Sequence, residues 1–185
     1  MSRRAAFATL FAFVPAALVA QPAVTPPEIL QHVAASVTPE VGFREVRTLK
    51  MLKAPLVSSG RLRYAANGRL ERETTHPVPE VVVIDGTRVT IERAGTTTEL
   101  GLIGGSPQAS LVQALRAILG GQVGELDTLY RASAEGSLDH WTMHLDPRAA
   151  GGAVRTIRLS GSSGVVGEIE VLERSGDKSV TTLTR

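Results

Sequence analysis

The sequence predicts a mainly β, α+β domain: one strongly curved antiparallel sheet with an N-terminal helix and a second helix inserted between its strands. Three observations predict it. From Val41 onward, β-branched runs alternate in polarity and are broken by Gly, Asn and Asp, as half-buried antiparallel strands are. Helical periodicity occurs in two places only, after Thr25 and after Ser106. No repeat, low-complexity tract or linker divides the 185 residues, so one core is expected. A single sheet of this many strands twists and curls toward a barrel, and helices would cover its open side.

The chain opens on an address. Arg3 and Arg4 precede an apolar run from Ala5 to Val19, and Ala20 stands before Gln21-Pro22. This is the layout of a secretory signal peptide over residues 1–20. The run is interrupted by Pro15 and is shorter than the roughly 20 residues a membrane span needs. Cleavage after Ala20 leaves residues 21–185 as one exported, soluble domain, placed in the periplasm and expected to be monomeric. The chain has 20 Lys+Arg against 18 Asp+Glu, and the surplus is Arg3 and Arg4. The mature domain is therefore neutral and carries no field for nucleic acid.

Thr25-Pro-Pro-Glu28 starts the first helix: Thr25 caps, prolines suit the first turn, and Glu28 completes a capping box. Ile29, Leu30, Val33 and Val37 follow at helical spacing. In the hairpin at Asn67-Gly68, a two-residue loop would set Tyr64 opposite Glu71 and mix faces. A three-residue loop, Ala66-Asn67-Gly68 with Gly68 left-handed, pairs Tyr64 with Leu70, Arg63 with Glu71 and Arg61 with Glu73, so opposite charges meet. The same logic at Ile84-Asp85-Gly86 places Val81, Val83, Val89 and Ile91 on one apolar face. Ser106-Pro107 starts the inserted helix and Gly120-Gly121 stops it. Leu111, Val112, Leu115, Ile118 and Leu119 form its apolar stripe. Strands resume near Tyr130–Ala134 and Leu138–Leu145, then over 154–160, 165–173 and 178–184.

The search for reactive chemistry returns little. Zero Cys excludes a disulfide framework and thiolate chemistry. His140, His144 and Asp146 share a strand face, but residues four apart on a strand are separated by about 13 Å. Zinc holds its ligands at about 2 Å, so the two histidines cannot share one ion unaided and no metal is assigned. Neither Gly104-Gly-Ser-Pro107 nor Gly161-Ser-Ser-Gly164 has the spacing of a serine nucleophile elbow or of a phosphate loop. No cofactor is implied and no catalytic residue is assigned.

What remains is apolar. Phe43, Leu62, Tyr64, Leu70, Val81, Val83, Val89, Ile91, Trp141, Met143 and Leu145 take inward positions on successive strands. They fit a filled core, as inward apolar residues usually do, and they equally fit the wall of an apolar cavity.

A set of short segments in fixed order resembles a known family. Phe43-Arg-Glu45, Lys53-Ala-Pro-Leu-Val-Ser-Ser-Gly60-Arg-Leu-Arg-Tyr64, Leu70-Glu-Arg, the proline-rich step ending at Glu80 and Ile84-Asp-Gly86 come first. Leu115-Arg-Ala-Ile-Leu-Gly-Gly121, Leu126, Trp141-Thr-Met-His-Leu-Asp-Pro147 and the closing run Ile157–Leu183 follow. Together they resemble the outer-membrane lipoprotein carrier (LolA-like) family over nearly the whole mature chain. The resemblance implies an unclosed antiparallel β-barrel with helices as a lid over an apolar cavity. It implies a non-enzymatic periplasmic carrier that shields acyl chains of lipoproteins or of another lipid, between an inner-membrane donor and an outer-membrane acceptor. Leu62, Tyr64, Val81, Val83, Val89 and Ile91 would then belong to the wall, and Leu111, Leu115 and Ile118 to the lid. One departure stands out: the family's lid-tying Arg-Pro pair falls here on Ala66-Asn67, and Arg72 is the residue placed to substitute or to form a rim salt bridge. The alternative reading is an envelope interaction or sensor module whose concave sheet binds protein.

Overall fold

The computed structural model describes residues 23–65, 67–101 and 107–185, of which 100, 101 and 107–111 by backbone alone. The expected signal segment with its cleavage point, Ala66 and Ser106 lie outside the described residues. Helix α1 (Pro26–Ala35) leads into β1 (Glu40–Thr48), β2 (Leu56–Tyr64), β3 (Leu70–His76), β4 (Glu80–Asp85), β5 (Arg88–Arg93) and β6 (Thr96–Gly101). Helices α2 (Pro107–Leu119) and α3 (Val123–Leu129) follow. The chain closes with β7 (Tyr130–Ser137), β8 (His140–Pro147), β9 (Val154–Ser162), β10 (Val165–Glu173) and β11 (Lys178–Thr184). At the start of α1 the Thr25 amide and hydroxyl both donate to the Glu28 carboxylate at 2.8 Å, tying the first turn to the incoming chain.

All eleven strands form one antiparallel sheet in the order β6-β5-β4-β3-β2-β1-β11-β10-β9-β8-β7. The chain begins mid-sheet, meanders out to the edge at β6, crosses over, and meanders back from the far edge at β7 until β11 meets β1. The edges β6 and β7 do not pair, so the barrel is unclosed. Helices α2 and α3 are the crossover between those two edges. A connection between the lips of a curled sheet passes over its open side, which is why the helices lie there.

The β2–β3 register is the expected one, with Tyr64 opposite Leu70, Arg63 opposite Glu71 and Arg61 opposite Glu73. Gly68 has φ +83° at the left-handed position of the loop. The β4–β5 register differs from expectation. Asp85 pairs with Arg88 across a two-residue Gly86-Thr87 loop, and Gly86 has φ +57°, as a type II′ turn with glycine first requires. The shorter loop shifts the pairing so that Val82 meets Ile91 and Ile84 meets Val89. Val81 and Val83 therefore lie on the opposite face from Val89 and Ile91, and Ile84 is the buried member of the strand.

The core is lopsided. On the β7–β10 half, Trp141, Met143, Leu145, Ile157 and Leu159 are buried under Ile29, Leu30 and Val33 of α1, Ala114, Ala117 and Ile118 of α2, and Leu126 of α3. The β1–β5 half is covered only near one end. Among the described residues no helix is long and apolar enough to cross a membrane.

Candidate functional site: an apolar chamber on the concave face

Side chains alternate along each strand, so the register defines the concave face across the sheet. One end of that face is aliphatic: Val41 of β1, Leu62 and Tyr64 of β2, Leu70 of β3, Val166 and Ile169 of β10, and Leu183 of β11. Val33 and Val37 from α1 and its C-terminal extension, with Leu115 and Leu119 of α2, roof this end and leave a chamber of about 70 Å³. Chain reversal at the β9–β10 turn supports one wall. Gly164 has φ +79°, and a Cβ there would stand 2.4 Å from the His32 carbonyl oxygen and 2.6 Å from Ser36 Oγ. Only glycine lets this turn reach the end of α1.

Four of the residues expected from sequence line the chamber: Leu62, Tyr64, Leu70 and Leu115. Trp141, Met143, Leu145 and Ile118 do not, because three helices pack directly onto that half of the sheet and fill it. Phe43 is buried beneath Arg72, whose guanidinium lies 4.4 Å from the ring centroid. Val89 packs on the core from the concave face and Ile91 is partly buried beside Val82. Val81 and Val83 leave the wall with the register correction above. The Leu111 side chain lies outside the described residues. Sequence reasoning missed Val33, Val37, Val41, Leu119, Val166, Ile169 and Leu183. Val33 and Val37 are the last two members of the α1 stripe, and Val41 continues the alternation through Phe43, so the pattern that found the elements also held these residues.

The other end of the concave face is open and mixed, with ion pairs set among apolar side chains. Arg72 pairs with Glu45 and lies 3.3 Å from Ser58 Oγ, Arg47 pairs with Glu173 at 3.1 Å, and Arg93 pairs with Glu80. These pairs, with Leu56, Val57, Thr74, Pro77, Val78, Val171 and Ser179, line a groove of about 420 Å³. Arg72 thus forms a cross-strand salt bridge inside the sheet, and its described partners include no helix residue. Phe43 and Arg72 form the layer between groove and chamber. A different arginine joins helix to sheet. Arg116 of α2 donates from Nη1 to the Gly86 carbonyl at 2.9 Å and passes close to Gly68, so it spans the β2–β3 and β4–β5 turns.

Outside the concave face, Arg63 donates to Glu40, Glu71 and Glu73 at 2.6, 2.6 and 2.9 Å, and those hydrogen bonds raise its already high pKa. His144 stands on the exposed face 3.6 Å from Glu135. Among the described residues no three His, Asp or Glu side chains converge as metal ligands. Aliphatic side chains make up most of the chamber wall, with Ser36, Thr38, Arg63 and Arg185 also among its lining residues, so the chamber offers hydrocarbon a largely apolar surface.

The sequence model of a family described as outer membrane lipoprotein carrier protein LolA-like matches residues 18–185. The chain belongs to this family. Solved structures similar to this LolA-like chain include the LolA superfamily protein NE2245 from Nitrosomonas europaea, 12% identical over 88% of this chain and 92% of that one, with a TM-score of 0.45. Lipoprotein LppX from Mycobacterium tuberculosis is 12% identical over 86% of this chain and 94% of its own, with a TM-score of 0.42. A Pseudomonas aeruginosa MucA/MucB complex is 13% identical over 86% of this chain and 55% of that chain, with a TM-score of 0.42. No curated protein matches the sequence.

Proposed function

We propose that this LolA-like chain is an exported, non-enzymatic periplasmic carrier. It shields acyl chains of a lipoprotein or of another lipid on the concave face of its sheet and hands them from an inner-membrane donor to an outer-membrane acceptor. Family membership supports the reading, and one observation carries it: the aliphatic chamber lies between sheet and α2, and its roof residues Leu115 and Leu119 are themselves apolar. Each methylene withdrawn from water contributes roughly 0.8 kcal/mol, so a long chain needs an escort. The chamber as it stands has about 70 Å³, well below the roughly 300 Å³ or more of pockets that enclose drug-sized ligands. Cargo therefore enters as α2 moves aside, and hydrocarbon takes over the cover that Leu115 and Leu119 give the wall. Apolar surface is exchanged for apolar surface, so the two arrangements stay close in free energy. Release falls to the acceptor, which must offer the chain a drier place.

The test is direct. Mature protein is extracted with organic solvent, co-purified lipid is read by mass spectrometry, and uptake of a fluorescent fatty acid is titrated. Wild type carries lipid or takes up the probe. Leu115→Asp, and Leu62→Asp on the opposite wall, each weaken uptake by roughly ten-fold or more, since a charge in the chamber is poorly solvated. Folding of both variants is confirmed by circular dichroism. A folded wild type with neither lipid nor uptake would overturn the carrier and favour a protein-binding envelope module. Ester turnover lost on a Ser substitution would instead make the chain an enzyme.

A further inference from the structure

The loop from β1 to β2 carries a surface that the chamber does not use. Residues 50–57, Lys-Met-Leu-Lys-Ala-Pro-Leu-Val, are exposed one after another. Met51 is 87% exposed, Leu52 44%, Leu56 51% and Val57 43%, and Val78 of the neighbouring β3–β4 loop is 55% exposed. These five are the large hydrophobic side chains that the described surface exposes, and all stand at one end of the sheet. Leu56, Val57 and Val78 also rim the open groove, so the apolar tip and the groove mouth face the same way.

Charge distinguishes this tip further. The chain uses Arg seventeen times and Lys three times, and two of the three lysines, Lys50 and Lys53, bracket Met51-Leu52. Lys178, the third, is engaged with Glu170 at 2.6 Å. Among the described residues neither Lys50 nor Lys53 has an ion-pair partner, whereas the arginines that rim the groove are each matched to a glutamate. The nearby Asp177 accepts from the Lys50 backbone amide at 2.8 Å, which pins the loop at its base.

We propose that the β1–β2 loop is a membrane-docking tip that seats the groove mouth on an anionic bilayer surface. Met51 and Leu52 enter the acyl boundary, and Lys50 and Lys53 lay their stems along it with their ammonium groups at the phosphates. The composition favours a bilayer over a protein partner. Protein interface cores are enriched in aromatics, Met and Arg and depleted in Lys; this tip shares the Met but has no aromatic and no Arg, and two lysines flank its apolar pair. Contact by one loop is weak and reversible, which suits a molecule that must leave the membrane again.

Vesicle flotation tests this on the mature chain without cargo. Wild type floats with phosphatidylglycerol/phosphatidylethanolamine vesicles, less with phosphatidylcholine, and less at high salt. Lys50→Glu combined with Lys53→Glu lowers binding roughly ten-fold or more, as does Met51→Asp with Leu52→Asp. A remote pair of equal charge change, Arg131→Glu with Arg155→Glu, keeps more of the binding than the lysine pair. In a Met51→Trp variant the added indole emission shifts to the blue on anionic vesicles alone. Equal binding to both lipids, an equal loss in the remote pair, or an unshifted indole would each overturn the proposal. So would capture of a protein through this loop with no response to vesicles. Because no cargo is present, such a failure removes the docking tip and leaves the carrier reading standing.

Discussion

Arg116 ties helix α2 to the turns at one end of the sheet. Its hydrogen bond to the Gly86 carbonyl joins α2 to the β4–β5 turn across the chamber roof, and its guanidinium lies beside Gly68. The resemblance to known carriers led to Ala66-Asn67 as the place of a sheet-borne arginine; here the helix carries the arginine and the sheet supplies the acceptor. One hydrogen bond contributes about 1 kcal/mol net, or roughly five-fold in a population. Arg116→Gln should therefore speed fatty-acid probe uptake by roughly five-fold while circular dichroism stays unchanged. Stopped-flow fluorescence checks this, and identical uptake rates would show that α2 is held by packing alone. At this scale the sequence was informative where chemistry forces a partner, as with Arg63 and Glu71, and silent where it does not. Nothing local to Arg116 says that its target is a carbonyl thirty residues earlier.

At the scale of elements, two hairpins show what a strand pattern can carry. The β2–β3 register was legible because one alignment alone matches opposite charges while keeping Tyr64 and Leu70 together. The β4–β5 register was not. Val81, Val82, Val83 and Ile84 are all apolar, so alternation holds no information and the turn length decides the face. Helix α3 and strand β6 were also missed. The seven residues of α3 are too few to show a helical period, and Thr96-Thr97-Thr98 shows no alternation. The turn before β10 yields a prediction. Gly164→Ala meets both a left-handed backbone and the His32 carbonyl, and should cost about 2 kcal/mol. Gly86→Ala also meets positive φ, but nothing lies within 4 Å of its added Cβ, and it should cost about 1 kcal/mol. Denaturant titration compares the two; equal losses would mean that the contact between α1 and this turn adds nothing.

The whole molecule is a sheet with two lips joined by helices, and its stability should fall in acid. At Glu170, partial burial works to raise the pKa, but hydrogen bonds and charge from Lys178 and Arg158 outweigh it and hold the carboxyl below its ordinary 4.5. At Glu28, hydrogen bonds from the Thr25 amide and hydroxyl act in the same direction. A carboxylate with a lowered folded pKa binds fewer protons folded than unfolded, so its stabilisation is complete above the ordinary value and lost as pH falls through the folded one. Unfolding free energy should thus be level above about pH 5 and decline below about pH 4.5. Glu170→Gln should make that decline shallower, as urea titrations across this range would show. An unchanged slope would mean that the β9–β10–β11 ion pairs are already broken in solution.

Most strand positions, the first and the inserted helix, the charge-matched hairpin and the greasiness of one sheet face were determined by the sequence itself, because each rests on neighbours or near-neighbours in the chain. Tertiary structure alone decided which half of the concave face is plugged by three helices, which end is lined with ion pairs, and which arginine fastens the roof. Those outcomes follow from volume and reach among residues far apart in sequence. Packing selects between faces of equal hydrophobicity, and a pattern that is apolar on both faces gives no preference until the helices have settled on one.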